Sequence, residues 1–264
     1  MSQKTDIGIL GADGRMGQAV AKVLADHKSA RLTAALTAPN SPLLGQAING
    51  VTYTDNFDTA LTNCDVLIDF SAPEATLRAV ELVAAGETRC RAVVSGTTGL
   101  GPHDETALIK AAGTMTLLRS GNFSMGVNLL EALVEQAARA LKDGWDIEVL
   151  EMHHRHKVDA PSGTAFMLGQ AAARGRGVKL LDAQVLSREG QTGARTEGEI
   201  GFATLRGGGV IGAHEVRIAS ELEMVTLSHD AFDRSVFAEG AVSAALWAGE
   251  QKSGLYSMRD VLGL

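Results

Sequence analysis

From position 151 to position 165 the chain reads EMHHRHKVDAPSGTA. Three imidazoles, a guanidinium and an ammonium stand in five consecutive places, His153, His154, Arg155, His156 and Lys157. Imidazole titrates near neutrality and serves as acid or base, while fixed cations attract carboxylates. Pro161-Ser162-Gly163-Thr164 then predicts a helix start, with Ser162 as N-cap and the N–H groups of Gly163 and Thr164 outside the intrahelical ladder. Anions are favoured at such a place. Together these features describe a pocket for a carboxylate-bearing substrate that also receives a proton. A solvated basic turn and a metal site are the competing readings. The metal reading is the weaker, because no Cys or HxxxE partner spacing lies nearby, and no metal is expected. In a strand that stayed extended, His153, Arg155 and Lys157 would face one side and His154 and His156 the other. A site using both adjacent histidines therefore requires the chain to leave strand geometry here.

A second set of chemically suggestive residues lies near the start. Gly11-Ala12-Asp13-Gly14-Arg15-Met16-Gly17 follows an apolar run and precedes a helical pattern. Glycines at 11, 14 and 17 let the backbone turn tightly and approach a pyrophosphate, which the N–H groups of a helix start receive. Asp13 stands where the commoner GxGxxG has its middle glycine. The second half of that fingerprint, an acid ending strand two or an arginine for a 2′-phosphate, is missing. The strand ends Leu36-Thr37-Ala38-Pro39, with no Asp or Glu from 32 to 54 and no Lys or Arg from 32 to 77. Thr37 offers a hydroxyl to a ribose and Arg15 a cation to a phosphate, so weak discrimination between NADH and NADPH is expected. Two further glycine-containing polar loops follow later strands: Ser95-Gly96-Thr97-Thr98-Gly99 and Ser120-Gly121-Asn122-Phe123-Ser124.

The elements that must hold these loops follow from periodicity. Short apolar runs at 7–10, 32–36, 66–70, 92–95 and 115–119 alternate with helical patterns at 16–25, 74–85 and 104–112. That alternation predicts βαβ units and a Rossmann-like, doubly wound parallel sheet of the α/β class. Residues 125–141 predict a longer amphipathic helix. Beyond it the pattern turns to α+β with a mixed sheet: strands at 146–152, 184–187, 199–205, 210–218 and 222–228, and a helix at 162–173. Gly207-Gly208-Gly209 reads as a hairpin turn between two of those strands. An alanine-rich helix at 237–247 comes last.

Composition narrows the class. A formal net charge of −7 and 4% aromatic residues argue against nucleic acid, which demands a basic face. No charged leader precedes an apolar stretch, and no apolar run approaches the roughly 18 residues of a membrane span. A cytoplasmic protein with no membrane partner is expected. Cys64 and Cys90 form no close pair along the chain and read as reduced, partly buried small residues.

The long central motif carries a specific resemblance. EMHHRHKVDAPSGTA is similar to the signature of the 4-hydroxy-tetrahydrodipicolinate reductases, also called dihydrodipicolinate reductases, of the diaminopimelate route to lysine. GADGRMG, SGTTG, NFSMGVN, SREGQTG, IGFATLRGG, GAHEV and GLYSMRDVL extend the likeness over nearly the whole chain. At Thr37-Ala38 the sequence departs from members that carry an acid and an arginine there. The resemblance implies NADH- or NADPH-dependent reduction of a small dicarboxylate at ring C4, with loss of water. It assigns His153 as proton donor or acceptor, Lys157 as proton donor, and His154, Gly163 and Thr164 as holders of substrate carboxylate, with Arg155 and His156 as supporting charge. The cofactor would lie against the glycine loop, Thr37, Gly96, Thr97, Thr98 and residues 120–123. Residues 1–124, completed by 234–264, would form the dinucleotide domain, and 125–233 the substrate-binding domain of a homotetramer, with hinges near Ser124 and Asp233. An aspartate or homoserine dehydrogenase, and a non-catalytic nucleotide sensor, are the rival readings.

Overall fold

The computed structural model describes residues 4–264. In chain order its first elements are β1 (Thr5–Leu10), α1 (Arg15–Ala25), β2 (Ala30–Leu36), β3 (Ala47–Ile48), β4 (Val51–Thr54) and α2 (Phe57–Thr62). Then come β5 (Val66–Asp69), α3 (Pro73–Ala84), β6 (Ala92–Ser95), α4 (Pro102–Ala111) and β7 (Thr116–Arg119). There follow α5 (Met125–Ala140), β8 (Asp146–His153), α6 (Gly163–Arg176), α7 (Leu180–Ala183), β9 (Gln184–Val185), β10 (Ile200–Arg206), β11 (Gly212–Ala219) and β12 (Met224–Ala231). The chain ends with α8 (Ser235–Ala248), β13 (Gly254–Tyr256) and α9 (Met258–Leu262). Contacts divide it into two compact units: the described residues through Met125 together with Ser235–Leu264, and Gly126–Arg234.

In the first unit the strand order is β13-β7-β6-β5-β1-β2-β4-β3, parallel except for the short β3–β4 pair. Connections run outward from β1 to β2 and β4, then return to β5 on its other side. That reversal opens a crevice at the carboxyl ends of β1 and β5. Both faces of the sheet are covered. Val20, Leu24, Ala241 and Ala245 of α1 and α8 pack on one, and Leu61, Val80, Val83 and Leu108 of α2, α3 and α4 on the other. Burial on both sides is why these strands read as unbroken apolar runs. Truncating a wholly buried leucine such as Leu61 or Leu67 to alanine costs ~2–5 kcal/mol. In α8 small residues permit close approach: a Cβ at Gly240 would stand 1.8 Å from the Phe123 carbonyl oxygen.

Short elements escaped the sequence pattern. β3, β4 and α2 span two, four and six residues, too few for a period to show. α2 nevertheless has a local cause, since Asn56 Oδ1 accepts the Thr59 N–H at 3.0 Å and caps its first turn. Cys64 and Cys90, distant in sequence, meet in the core of this unit. Both are fully buried, and the hydrogen bond with Cys90, followed by burial, pushes the Cys64 thiol pKa well up. Sequence spacing gave no sign of that pairing, because β1, β5 and β6 bring the two together only through the sheet.

The second unit is a five-stranded mixed sheet, β12-β11-β8-β10-β9. Leu130 and Val134 of α5 and Ala165, Leu168 and Ala172 of α6 cover one face, meeting Val149, Phe202 and Val216. The predicted Gly207-Gly208-Gly209 hairpin is corrected here. β10 lies parallel to β8 on one side and β11 antiparallel to β8 on the other, so the strands flanking the glycines do not pair. The glycines instead cross the carboxyl end of β8. Gly207 N–H donates to His153 O at 3.0 Å, and Arg155 N–H donates to Gly208 O at 3.3 Å. A turn signal reports a reversal of direction but not whether a third strand lies between the arms. Among the described residues no helix is long and apolar enough to cross a membrane.

Candidate active site

β8 alternates in burial, which places Ile147, Val149, Glu151 and His153 on the helix-covered face. The last two form the centre of a polar network. Glu151 is 2% exposed. Its Oε2 lies 2.6 Å from His153 Nδ1, and its Oε1 accepts the Ser162 N–H at 3.0 Å. From the neighbouring β10, Arg206 donates to Oε2 at 2.7 Å and to Oε1 at 2.8 Å. Burial works to raise the Glu151 pKa, but the two-pronged Arg206 bond and the His153 contact outweigh it and hold the carboxyl below its ordinary value. An ionised Glu151 accepts at Nδ1 and so leaves Nε2 of His153 as the nitrogen available for chemistry. His214 of β11 stands edge-on to His153, with ring centroids 5.1 Å apart and planes at 73°. Its Nε2 is 3.2 Å from Ser162 Oγ. Burial, followed by the nearby His153 charge, pushes its pKa down to about 4, so it is a neutral wall to the site near pH 7.

Directly after His153 the chain leaves strand geometry, as joint use of His153 and His154 requires. Lys157 N–H donates to His154 O at 3.1 Å, and His156 N–H to His154 Nδ1 at 3.2 Å. The turn sends His154 toward Arg234, whose Nη2 is 3.1 Å from Nε2. It leaves Lys157 Nζ 2.8 Å from Asp159 Oδ1. Loss of solvent, followed by the charges of Arg234, His156, His153 and Lys157, lowers the His154 pKa. Ser162 caps α6 as its sequence indicated: its Oγ accepts the Ala165 N–H at 3.1 Å. Gly163 is exposed and Thr164 half-buried in the first turn. Because Ser162 N–H is tied to Glu151, that helix start is fixed to the strand bearing His153. Arg155 and His156 are exposed on the outside of the turn. Among the described residues no group of three or more His, Cys, Asp or Glu side chains is placed to hold a metal ion.

The first unit presents the glycine loop at the crevice. Gly11 adopts φ +78, and a Cβ there would meet the Phe70 carbonyl oxygen at 2.5 Å. Gly17 admits the helix against the loop, since a Cβ would stand 2.2 Å from Gly11 O. Gly11 and Ala12 donate to Leu36 O at 3.0 and 2.9 Å, tying the loop to the end of β2. Ala12 is buried and Met16 packs on the core, while Gly14 and Arg15 are exposed at the start of α1. A cavity of about 500 Å³ opens beside the loop, lined by Gly11, Asp13, Gly14, Thr37, Ala38 and Pro39 among others. Thr37 Oγ1 is buried there without a hydrogen bond of normal geometry. A positive-φ glycine, a helix start and an orphaned hydroxyl in one cavity fit a dinucleotide.

The loop at 95–99 is anchored to Asp69, a residue the sequence reading missed. Asp69 is fully buried and accepts from Ser71 Oγ (2.5 Å), Thr76 Oγ1 (2.6 Å), Ser95 Oγ (2.7 Å) and Thr97 Oγ1 (3.0 Å). The Thr97 hydroxyl is thereby spent on the scaffold, whereas Thr98 is exposed. Gly96 is demanded by packing, since a Cβ would lie 2.3 Å from the Phe70 ring. Phe123 is 2% exposed and meets Phe70 edge to face at 5.4 Å, so its ring belongs to the core. Ser120 N–H donates to Ser95 O at 3.2 Å and Ser120 Oγ to Asn122 O at 2.6 Å, with Gly121 exposed between them. Asp69→Ala would strand three hydroxyls in the interior. It is expected to cost ~3–5 kcal/mol of stability and to weaken NADH binding, both measurable by urea unfolding and fluorescence titration. An unchanged midpoint would contradict this role.

Comparison with known proteins decides the kinship. Family models described as "Dihydrodipicolinate reductase, N-terminus" and "Dihydrodipicolinate reductase, C-terminus" match residues 5–123 and 126–262. The chain belongs to the dihydrodipicolinate reductase family. A relative from Sinorhizobium medicae (strain WSM419), named 4-hydroxy-tetrahydrodipicolinate reductase, is 54% identical over 97% of this chain and 96% of its own. One of the same name from Cereibacter sphaeroides is 49% identical over the whole of both chains. Among solved structures, the dipicolinate-bound dihydrodipicolinate reductase from Paenisporosarcina sp. TG-14 superposes with a TM-score of 0.79 at 25% identity, covering 97% of this chain and 98% of that one. A C. glutamicum DAP dehydrogenase shares the fold, with a TM-score of 0.55 at 11% identity over 97% and 93% of the two chains. This member of the dihydrodipicolinate reductase family is an oxidoreductase. Glu151, Arg206 and His214 stand around His153, and Asp69 beside Ser95 and Thr97, at positions to which the motif reading gave no role. Glu151 had a signal: it stands two residues before His153, the spacing that puts both on one face of a strand. Arg206 and His214 lie within the IGFATLRGG and GAHEV stretches, but spacing gave them no role beside His153, since only the sheet order brings them there.

Proposed function

We propose that this chain reduces 4-hydroxy-tetrahydrodipicolinate to tetrahydrodipicolinate, with loss of water, in the diaminopimelate route to lysine. The carrying observation is the Glu151–His153 pair, with His154 and Lys157 in the following turn and an α-helix start fixed to the same carboxylate. Reduced nicotinamide supplies the hydride to ring C4, and the departing hydroxyl needs a proton to leave as water. His153, its Nδ1 engaged by Glu151, has Nε2 to exchange that proton, and Lys157 carries the ammonium that delivers it. His154, Gly163 and Thr164 hold the substrate carboxylates with charge and the helix start. The glycine loop, Thr37, Thr98 and the loops at 96–97 and 120–123 receive NADH or NADPH. The protein works in the cytoplasm as a homotetramer. In support, Leu205 and Met224, 54% and 53% exposed, lie on the sheet face that the helices of the second unit leave open, where a second copy would cover them. Static light scattering at four times the 27.6 kDa chain mass is the expected result.

The deciding assay follows nicotinamide absorbance when the protein meets substrate freshly made by the preceding synthase from pyruvate and aspartate semialdehyde. A steady fall is expected, and its absence with both nucleotides would reject the reading. Substrate binding should also load a proton. His154 has a lowered pKa in the free protein, so a fraction of it is neutral near its ordinary titration range. Two incoming carboxylates favour its charged form and raise that pKa. Binding of dipicolinate between pH 6 and 8 is therefore expected to take up protons, seen as a buffer-dependent heat in calorimetry. Zero uptake across that range would remove the idea.

A further inference from the structure

We propose that Asp13 makes this enzyme select NADH over NADPH, by placing a carboxylate where the adenosine ribose lies. The inference rests on the proposed function only in taking a nicotinamide dinucleotide as the cofactor.

In the dinucleotide fold the ribose hydroxyls are read by an acid ending the second strand. Here β2 ends in Thr37 and Ala38, which carry no charge. The structure supplies the acid from another direction. Asp13 leaves the glycine loop where that loop is tied to Leu36 O, and Ser41, in the segment following β2, donates its hydroxyl to Asp13 Oδ2 at 2.6 Å. The carboxylate is thus held at the end of β2, in the cavity that Thr37 and Ala38 also line. Partial burial works to raise the Asp13 pKa, but hydrogen bonding, led by the Ser41 hydroxyl, outweighs it and keeps the carboxyl below its ordinary value.

A carboxylate so placed accepts from ribose hydroxyls and repels a 2′-phosphate. The cavity wall adds to the effect, since among the described residues that line it Asp55 and Glu74 stand with Asp13, and Arg78 is the cation. The Arg78 guanidinium lies 4.4 Å over the Phe57 ring. Thr37 Oγ1, buried and lacking a well-formed hydrogen bond, is a second acceptor or donor for the ribose of NADH. For like charges at the separations of adjoining groups in a partly solvated cleft, the discrimination is about tenfold to a hundredfold.

The experiment measures dissociation constants of NADH and NADPH by nicotinamide fluorescence, and kcat/KM with each, for the native protein, Asp13→Asn and Ser41→Ala. The native protein is expected to favour NADH by about tenfold or more. Asp13→Asn should erase most of that ratio by strengthening NADPH, and Ser41→Ala, which frees the carboxylate to turn away, should reduce it partly. Equal or tighter NADPH binding by the native protein would overturn the proposal, whatever the variants do. An unchanged ratio in a folded Asp13→Asn would overturn it too. Binding needs no substrate, so an NADH preference without turnover would reject the proposed reaction and leave this inference standing.

Discussion

Lys157→Ala is expected to lower kcat by about 10²–10⁴-fold, the usual worth of a positioned acid, while NADH affinity stays as it was. Lys157 is 20% exposed, and among the described residues its ion pair is with Asp159, itself 55% exposed. Such a pair contributes about 0–1 kcal/mol, so the variant should fold and its loss report chemistry. Lys157→Arg separates the two uses of the cation. It keeps the charge that attracts dicarboxylate, but guanidinium stays protonated at neutral pH and cannot deliver a proton. Turnover should therefore remain low in the arginine variant while dipicolinate affinity recovers. Restoration of turnover by arginine would mean that Lys157 acts through charge alone. Parallel losses of turnover and NADH affinity in the alanine variant would mark it as structural.

Glu151→Gln is the other substitution with a large expected effect. The carboxylate accepts from His153, Ser162 and Arg206 at once, and an amide has one oxygen where the network needs two. In either orientation its NH₂ group faces the Arg206 guanidinium, together with the Ser162 N–H in one and His153 Nδ1–H in the other. Removing one partner of a buried charged network costs ~3–5 kcal/mol, visible as an earlier urea midpoint. The loss has a pH signature. The carboxyl's folded pKa is depressed from 4.5, so its stabilisation is complete above that value and disappears as pH falls through the folded pKa. The gap in stability between native and variant should thus be widest at neutral pH and shrink in acid below pH 4.5. In catalysis, His153 loses the partner that fixes its tautomer, and kcat should fall about 10²-fold with a displaced limb in the pH profile. A variant that is merely less stable, with an unshifted profile and native kcat at low temperature, would deny Glu151 its positioning role.

Much of the first unit was legible because its physics is local and repetitive. Strands buried on both faces are unbroken apolar runs, and helices between them show their stripe, so β1, β2, β5, β6 and β7 fall within a residue or two of their sequence ranges. The glycine loop was equally readable. Gly11 needs a positive φ and Gly17 a place without a Cβ, both of which only glycine provides freely. In the second unit the cap at Ser162 was readable for the same reason, since a hydroxyl one residue before a helix answers an orphaned N–H within three residues.

What stayed hidden depends on distant partners. The Gly207-Gly208-Gly209 segment announced a turn, but the insertion of β8 between its arms is a property of the whole sheet. Thr97 looked like a ligand residue, and the fold spends its hydroxyl on Asp69, which lies 28 positions earlier.

The sequence by itself determined the chemistry available: imidazoles, an ammonium, a helix start and a glycine loop, each defined by residue type within a few positions. Tertiary structure alone decided how those groups are set. It brought Arg206 and His214 from 55 and 63 residues beyond Glu151 and oriented one histidine ring among three. It also carried the Asp13 carboxylate to the end of a strand that has no acid of its own. The reason is that residue type fixes what a group can do, whereas orientation, burial and pairing depend on groups that only the folded sheets place beside it.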